Sequence, residues 1–199
     1  MTLLHESSHD LQPRSGEVEE KVLAIREQYG TKENILTLFN PSNTLRYTED
    51  ERRCYLGSAP TLTLLNLTYG RNTAAMWITA QLNDLNKMSG ASHGMTEEQM
   101  ENTAHLLARE GCYLKLTEWM LFFYGLRTQK YAHFYGSVDP DKILQSLNMF
   151  KKERASRLER YEQEAKAMER EQWKDKAITW EEYCRLEGIN KKNPLDRIQ

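Results

Sequence analysis

Proline is scarce in this chain, with five in 199 residues, and nothing resembles a long apolar run. Few prolines leave room for long helices, because proline removes a backbone donor and clashes with the preceding turn. No segment reaches the roughly 18 consecutive apolar residues that a membrane helix requires, and the opening "MTLLHESSHD" lacks a basic stretch followed by an apolar one. A cytoplasmic protein without a membrane partner is expected. Cysteine is equally sparse: Cys54, Cys112 and Cys184 are three in number and widely spaced. That excludes a disulfide framework and a zinc site built from CxxC pairs, and suits buried thiols in a reducing compartment.

Nucleotide and metal signatures are missing too. There is no G-x-x-x-x-G-K-[ST], no G-x-G-x-x-G and no H-E-x-x-H, and His5, His9, His93, His105 and His133 are scattered. "GASHG", residues 90–94, spells G-x-S-x-G. A nucleophilic serine in that pattern stands on a turn between a strand and a helix, whereas "LNDLNKM" before it reads as the end of a helix. Catalytic residues, cofactors and metals are therefore not expected, nor is an enzyme.

What is present is helix after helix. The chain is 39% hydrophobic and 28% charged, a balance that suits a folded helical protein. The fold class expected is all-α: a compact multi-helix domain with a long C-terminal helix and a short terminal helix. Residues 1–14 are polar and aperiodic and are expected to be mobile. Short helices follow over 15–57, with Val18, Val22 and Ile25 on one face, Gly30 as a stop, Thr31 opening a second helix, and Thr48 with Glu51 spelling a capping box. A core domain is expected over 58–155. Ser58 and Pro60 open an apolar helix there, Thr96 and Gln99 form another capping box, and Thr117 starts the very hydrophobic segment that should be the central helix.

Asp139 and Pro140 then supply a cap and a preset first helical position. From there Ile143, Leu147, Phe150, Arg154, Leu158, Tyr161, Ala165 and Met168 recur at spacings of three and four, predicting one long helix. Carried to Lys176 it would measure roughly 55 Å. Residues 156–199 form a charged extension, and "ITWEEYCRLEG" spells a last short helix with Thr179 and Glu182 as its capping box and Gly188 as its stop.

The interruption "GLRTQKYAHFYGSVDPDKI", residues 125–143, concentrates rings and positive charge. Between 125 and 160, eight basic residues face four acidic ones, in a chain of net charge -2. Arg127, Lys130, Tyr131, His133, Tyr135, Lys151, Arg154 and Arg157 are the candidate binding residues: rings to stack on bases or a partner, cations to meet phosphates. Two readings stay open, a DNA- or partner-binding surface, or rings that pack back onto the domain beside a solvated charged face.

The succession "APTLTLLNLTYG", "AAMWITAQLNDL" and "YLKLTEWMLFFYGLRTQKYAHFYGSVDPDKILQSLNMFKKER" resembles an uncharacterised family of small helical proteins of phages and other mobile elements. That family is similar to helicase-loader or replisome-organiser replication accessories. The resemblance spans residues 58–157 and rests on Lys130, Tyr131, Phe134, Tyr135, Gly136, Asp139, Pro140 and Arg154. The family often has glycine on both sides of the first turn aromatic, where this chain has Lys130 and Ala132. It implies a non-enzymatic accessory of DNA replication, with DNA and a replicative helicase as partners. The alternative is a protein-interaction or regulatory adaptor whose charged C-terminal helix and "ITWEEYCRLEG" segment dock a partner or a second copy of itself.

Overall fold

A computed structural model of the protein describes residues 15–174 and 180–187, all of them in helices, turns and connecting loops. Their contacts divide the chain into two compact units, Met1–Arg154 and Ala155–Gln199. The expected mobile segment 1–14 and the predicted cap and stop of the terminal helix, Thr179 and Gly188, lie outside the described residues.

Helices α1 (Ser15–Tyr29) and α2 (Lys32–Leu38) are separated by Gly30, whose φ of 71° is a conformation other residues adopt at a cost. Thr31 caps α2 as its sequence predicts, accepting from the Asn34 amide at 3.3 Å. A 3₁₀ turn (Pro41–Asn43) leads into α3 (Thr44–Thr48) and then α4 (Glu51–Leu56). Here the prediction fails in detail. Thr48 donates its hydroxyl back to the Thr44 carbonyl at 3.0 Å inside α3, so Asp50 caps α4 instead, accepting from the Arg53 amide at 3.0 Å. The T-x-x-E spacing is present, but the threonine is already committed to its own helix.

Helix α5 (Leu62–Tyr69) starts three residues later than Ser58 and Pro60 suggest, with Thr61 as its cap. The reason is long-range. Leu62 donates to Leu114 at 3.2 Å and Leu116 to Pro60 at 2.9 Å, an isolated antiparallel bridge that keeps this stretch extended until Thr61. Leu62 and Leu65 are buried, but Leu67 is 54% exposed, so α5 is apolar on more faces than it buries. Helices α6 (Thr73–Met88) and α7 (Glu97–Glu110) pack together, α7 opening with the complete Thr96–Gln99 capping box.

Helix α8 (Leu116–Arg127) is the centre of the first unit. Trp119, Met120, Phe122, Phe123 and Leu126 are all buried. Trp119 meets Phe122 edge-on at 5.5 Å, and Phe123 meets Trp77 of α6 at 6.4 Å. Helix α9 (Pro140–Lys174) begins at the predicted Asp139 cap, whose carboxylate accepts from the Asp141 amide at 2.9 Å. Up to Arg154 it seats Ile143, Leu147 and Phe150 in the core of the first unit. Each such side chain contributes about 1.5–3 kcal/mol.

In the second unit α9 carries surface ion pairs, Lys166 with Glu162 at 2.6 Å and Lys174 with Glu171 at 2.8 Å. Solvent screens such exposed pairs, so they add little to stability. Helix α10 (Trp180–Glu187) belongs to the same unit.

Candidate functional site

The seven candidate residues of the first unit do not form one cationic face. Arg127, in the last turn of α8, points inward. Its Nη2 lies 2.8 Å from Asp84 Oδ2 and 3.3 Å from Gln81 Oε1, while its Nη1 donates to Thr44 Oγ1 at 2.8 Å and to the Pro41 carbonyl at 3.3 Å. One guanidinium thus ties the 3₁₀ turn, α3 and α6 to the end of α8, and only 16% of the side chain is exposed. Burial pulls its pKa down and Asp84 pushes it back up, without bringing an arginine near neutrality. The outward, phosphate-meeting Arg127 expected from the sequence is corrected: its two terminal nitrogens bond within the protein, and its Nε is buried without a hydrogen-bond partner among the described residues.

Past α8 the chain turns through Gln129, at φ 59°, and the Lys130 amide donates to the Gly125 carbonyl at 2.8 Å. The Tyr131 ring then lies against α8 where Gly125 has no side chain; a Cβ there would collide with the ring. Phe122 stacks on Tyr131 at 6.2 Å and Phe150 meets it edge-on at 6.1 Å. The Tyr131 hydroxyl donates to Glu153 Oε2 at 2.8 Å, and Lys130 Nζ to Oε1 at 2.6 Å. Burial, and then Glu153, push the Tyr131 pKa well above that of an ordinary phenol. Tyr131 is therefore half-buried packing, and a base-stacking role for it is corrected.

Arg154 is likewise engaged. Its Nε donates to Glu118 Oε1 at 2.7 Å, and Glu118 Oε2 accepts from the Lys115 amide at 2.7 Å, inside a fully buried carboxylate. Lys151 pairs with Glu110 at 3.5 Å, and both Lys151 and Arg154 lie over the Tyr113 ring. Arg157 falls in the second unit.

His133 and Tyr135 remain as the exposed pair. Their rings stack at 5.7 Å and 17°, and Tyr135 is 80% exposed. His133 Nδ1 is 2.7 Å from Gln129 Oε1. The loop that carries them is fixed along its length. Ala132 and Val138 are buried, the His93 amide donates to the Gly136 carbonyl at 2.8 Å, and the Val138 amide donates to the His93 carbonyl at 3.0 Å. The "GASHG" stretch thus has a structural partner: His93 and Ser137 form a parallel bridge, and the segment follows α6, not a strand. Asn86 completes the latch, with its side chain bonded to both the amide and the carbonyl of Met95 at 3.0 Å.

A second feature has no counterpart in the sequence reading. A cleft of about 350 Å³ opens among α1 to α4 and the Gly57–Ala59 loop. Phe39 and Tyr47 stack along it at 4.9 Å and 18°, and Tyr29 lies 6.0 Å from Phe39. Arg46 and Arg53 line it, and so does Cys54, whose thiol burial pushes up to about 11. The only local signal was the alternation of rings and arginines through 46–55, which becomes a surface only when α2 brings Phe39 beneath Tyr47.

Among the described residues no cluster of three histidine, cysteine or acidic side chains could hold a metal ion, and no helix is long and apolar enough to cross a membrane. The fold and site define an all-α protein with an internally paired charge lattice and one latched aromatic loop. Residues 95–193 match the model described as a family of unknown function, DUF6633. The match includes the 125–157 segment and leaves out the arginines and rings of the cleft. No curated protein and no solved structure matches the chain.

Proposed function

We propose that the protein is a non-enzymatic adaptor that docks a protein partner on the loop carrying His133 and Tyr135. The observation that carries this reading is the stacked, exposed ring pair on a loop fixed at both flanks. A tyrosine held this way presents a large amphipathic surface with little conformational entropy left to lose, the property of residues that dominate interfaces. Arg127, Lys130 and Arg154, which a phosphate backbone would need, already face Asp84, Glu153 and Glu118. The resemblance to helicase-loader and replisome-organiser accessories makes a replicative helicase the first partner to test, and mobile-element DNA replication the process.

The test is calorimetric titration of the host replicative helicase with the wild-type protein and with Tyr135→Ala. Loss of at least tenfold in affinity, about 1.4 kcal/mol, is expected. Equal affinity removes the loop from the interface, and no binding by the wild type removes the helicase as partner.

A second reading, single-stranded DNA on the same rings, is favoured by Lys130, whose side chain is 50% exposed beside them in sequence. It requires an affinity that falls steeply with salt and falls again in Tyr135→Ala. The adaptor reading expects neither.

A further inference from the structure

We propose that the cleft between α1 and the α3–α4 corner binds a small aromatic anion, a flat ring bearing a carboxylate or phosphate. This does not rest on the adaptor reading, because the cleft shares no residue with the 128–137 loop.

Three observations converge. The first is unspent charge. Nearly every other arginine discussed above is paired inside the protein, yet the guanidiniums of Arg46 and Arg53 make no hydrogen bond or ion pair among the described residues. Both line the same cleft as Tyr47, and their charge opposes the burial that raises its phenol pKa. The cleft also carries two exposed acids, Glu49 and Asp50, the latter capping α4 by accepting from the Arg53 amide at 3.0 Å, so an anion there would be held by the two-pronged geometry of the guanidiniums and not by net charge.

The second is the floor. Phe39 is sealed, with 2% exposure, beneath the half-buried Tyr47 ring stacked on it at 4.9 Å. A flat ligand ring entering the cleft extends a stack that already exists, and guanidiniums pair with carboxylates or phosphates in a planar, two-pronged geometry. The third is size. About 350 Å³ is at the small end of the roughly 300–1,000 Å³ range of ligand sites. That is room for one ring system and one anionic group.

The test is calorimetry on the full chain with four probes. AMP and indole-3-acetate each carry a ring and an anion, adenosine carries a ring alone, and inorganic phosphate an anion alone. Saturable binding of AMP or indole-3-acetate, at least tenfold tighter than adenosine or phosphate, is expected. AMP alone would identify the phosphate source and indole-3-acetate alone the carboxylate source. Arg46→Gln with Arg53→Gln should weaken that binding at least tenfold while leaving the circular dichroism spectrum unchanged, since neither guanidinium holds the fold together. Failure of both ring-bearing anions to saturate at millimolar concentration, or undiminished binding by a folded double variant, overturns the proposal.

Discussion

Glu118 has no exposed surface, yet it is an acid, and two donors share its charge: Arg154 Nε on one oxygen and the Lys115 amide on the other. Removing Arg154 strands that carboxylate in the core, so Arg154→Ala is expected to cost about 3–5 kcal/mol. Lys130→Ala breaks a pair of similar length, 2.6 Å, but in a half-exposed setting, where about 0–1 kcal/mol is at stake. Urea denaturation of the two variants checks this, and equal losses would refute the distinction. The sequence offered Arg127, Lys130 and Arg154 as equivalents. Its local charge count over 125–160 included Glu153 but not Asp84 or Glu118, which arrive from α6 and from the start of α8. Sequence separations of 36 residues for Arg154 and Glu118 leave no local trace.

At the scale of the element, α8 shows a helix designed around a gap. Glycine to alanine in a helix interior ordinarily gains about 1 kcal/mol. At Gly125 the added Cβ would run into the Tyr131 ring, which is confined by Phe122 and Phe150. Overpacking of that kind costs about 1–3 kcal/mol. Gly125→Ala should therefore lower the melting temperature, and a rise would show that the ring moves aside freely. Helix starts at Thr31, Thr96 and Asp139 were legible because a cap and its amide lie two or three residues apart. Those at Ser58 and Thr117 were misread because contacts from elsewhere decide them, and that at Thr48 because its hydroxyl bonds back to the Thr44 carbonyl of its own helix. Thr117, for example, donates its hydroxyl to the Cys54 carbonyl at 2.8 Å instead of capping α8.

For the whole molecule, burial raises the pKa of Cys54 from 9.0 to about 11 and raises those of Tyr29, Tyr47, Tyr69 and Tyr131 as well. In each case the folded state keeps a proton that the unfolded chain releases, so this contribution is complete below the unfolded pKa and is lost as pH rises. Stability should hold up to about pH 9 and then decline towards pH 11, and Cys54→Val should blunt the first part of that decline. Urea midpoints measured across this range test it, and a wild-type curve rising above pH 9 would contradict it. The all-α class and the long helix were readable from spacing alone. The loop pairing was not, because a single bridge between 93 and 137 has no periodicity to display. Under the adaptor proposal, that bridge would make the serine-glycine stretch after α6 a remote determinant of recognition, because it sets the pose of the loop that carries Tyr135. Sequence drift in 89–94 would thus be read out as altered partner choice long before it was felt as a loss of folding.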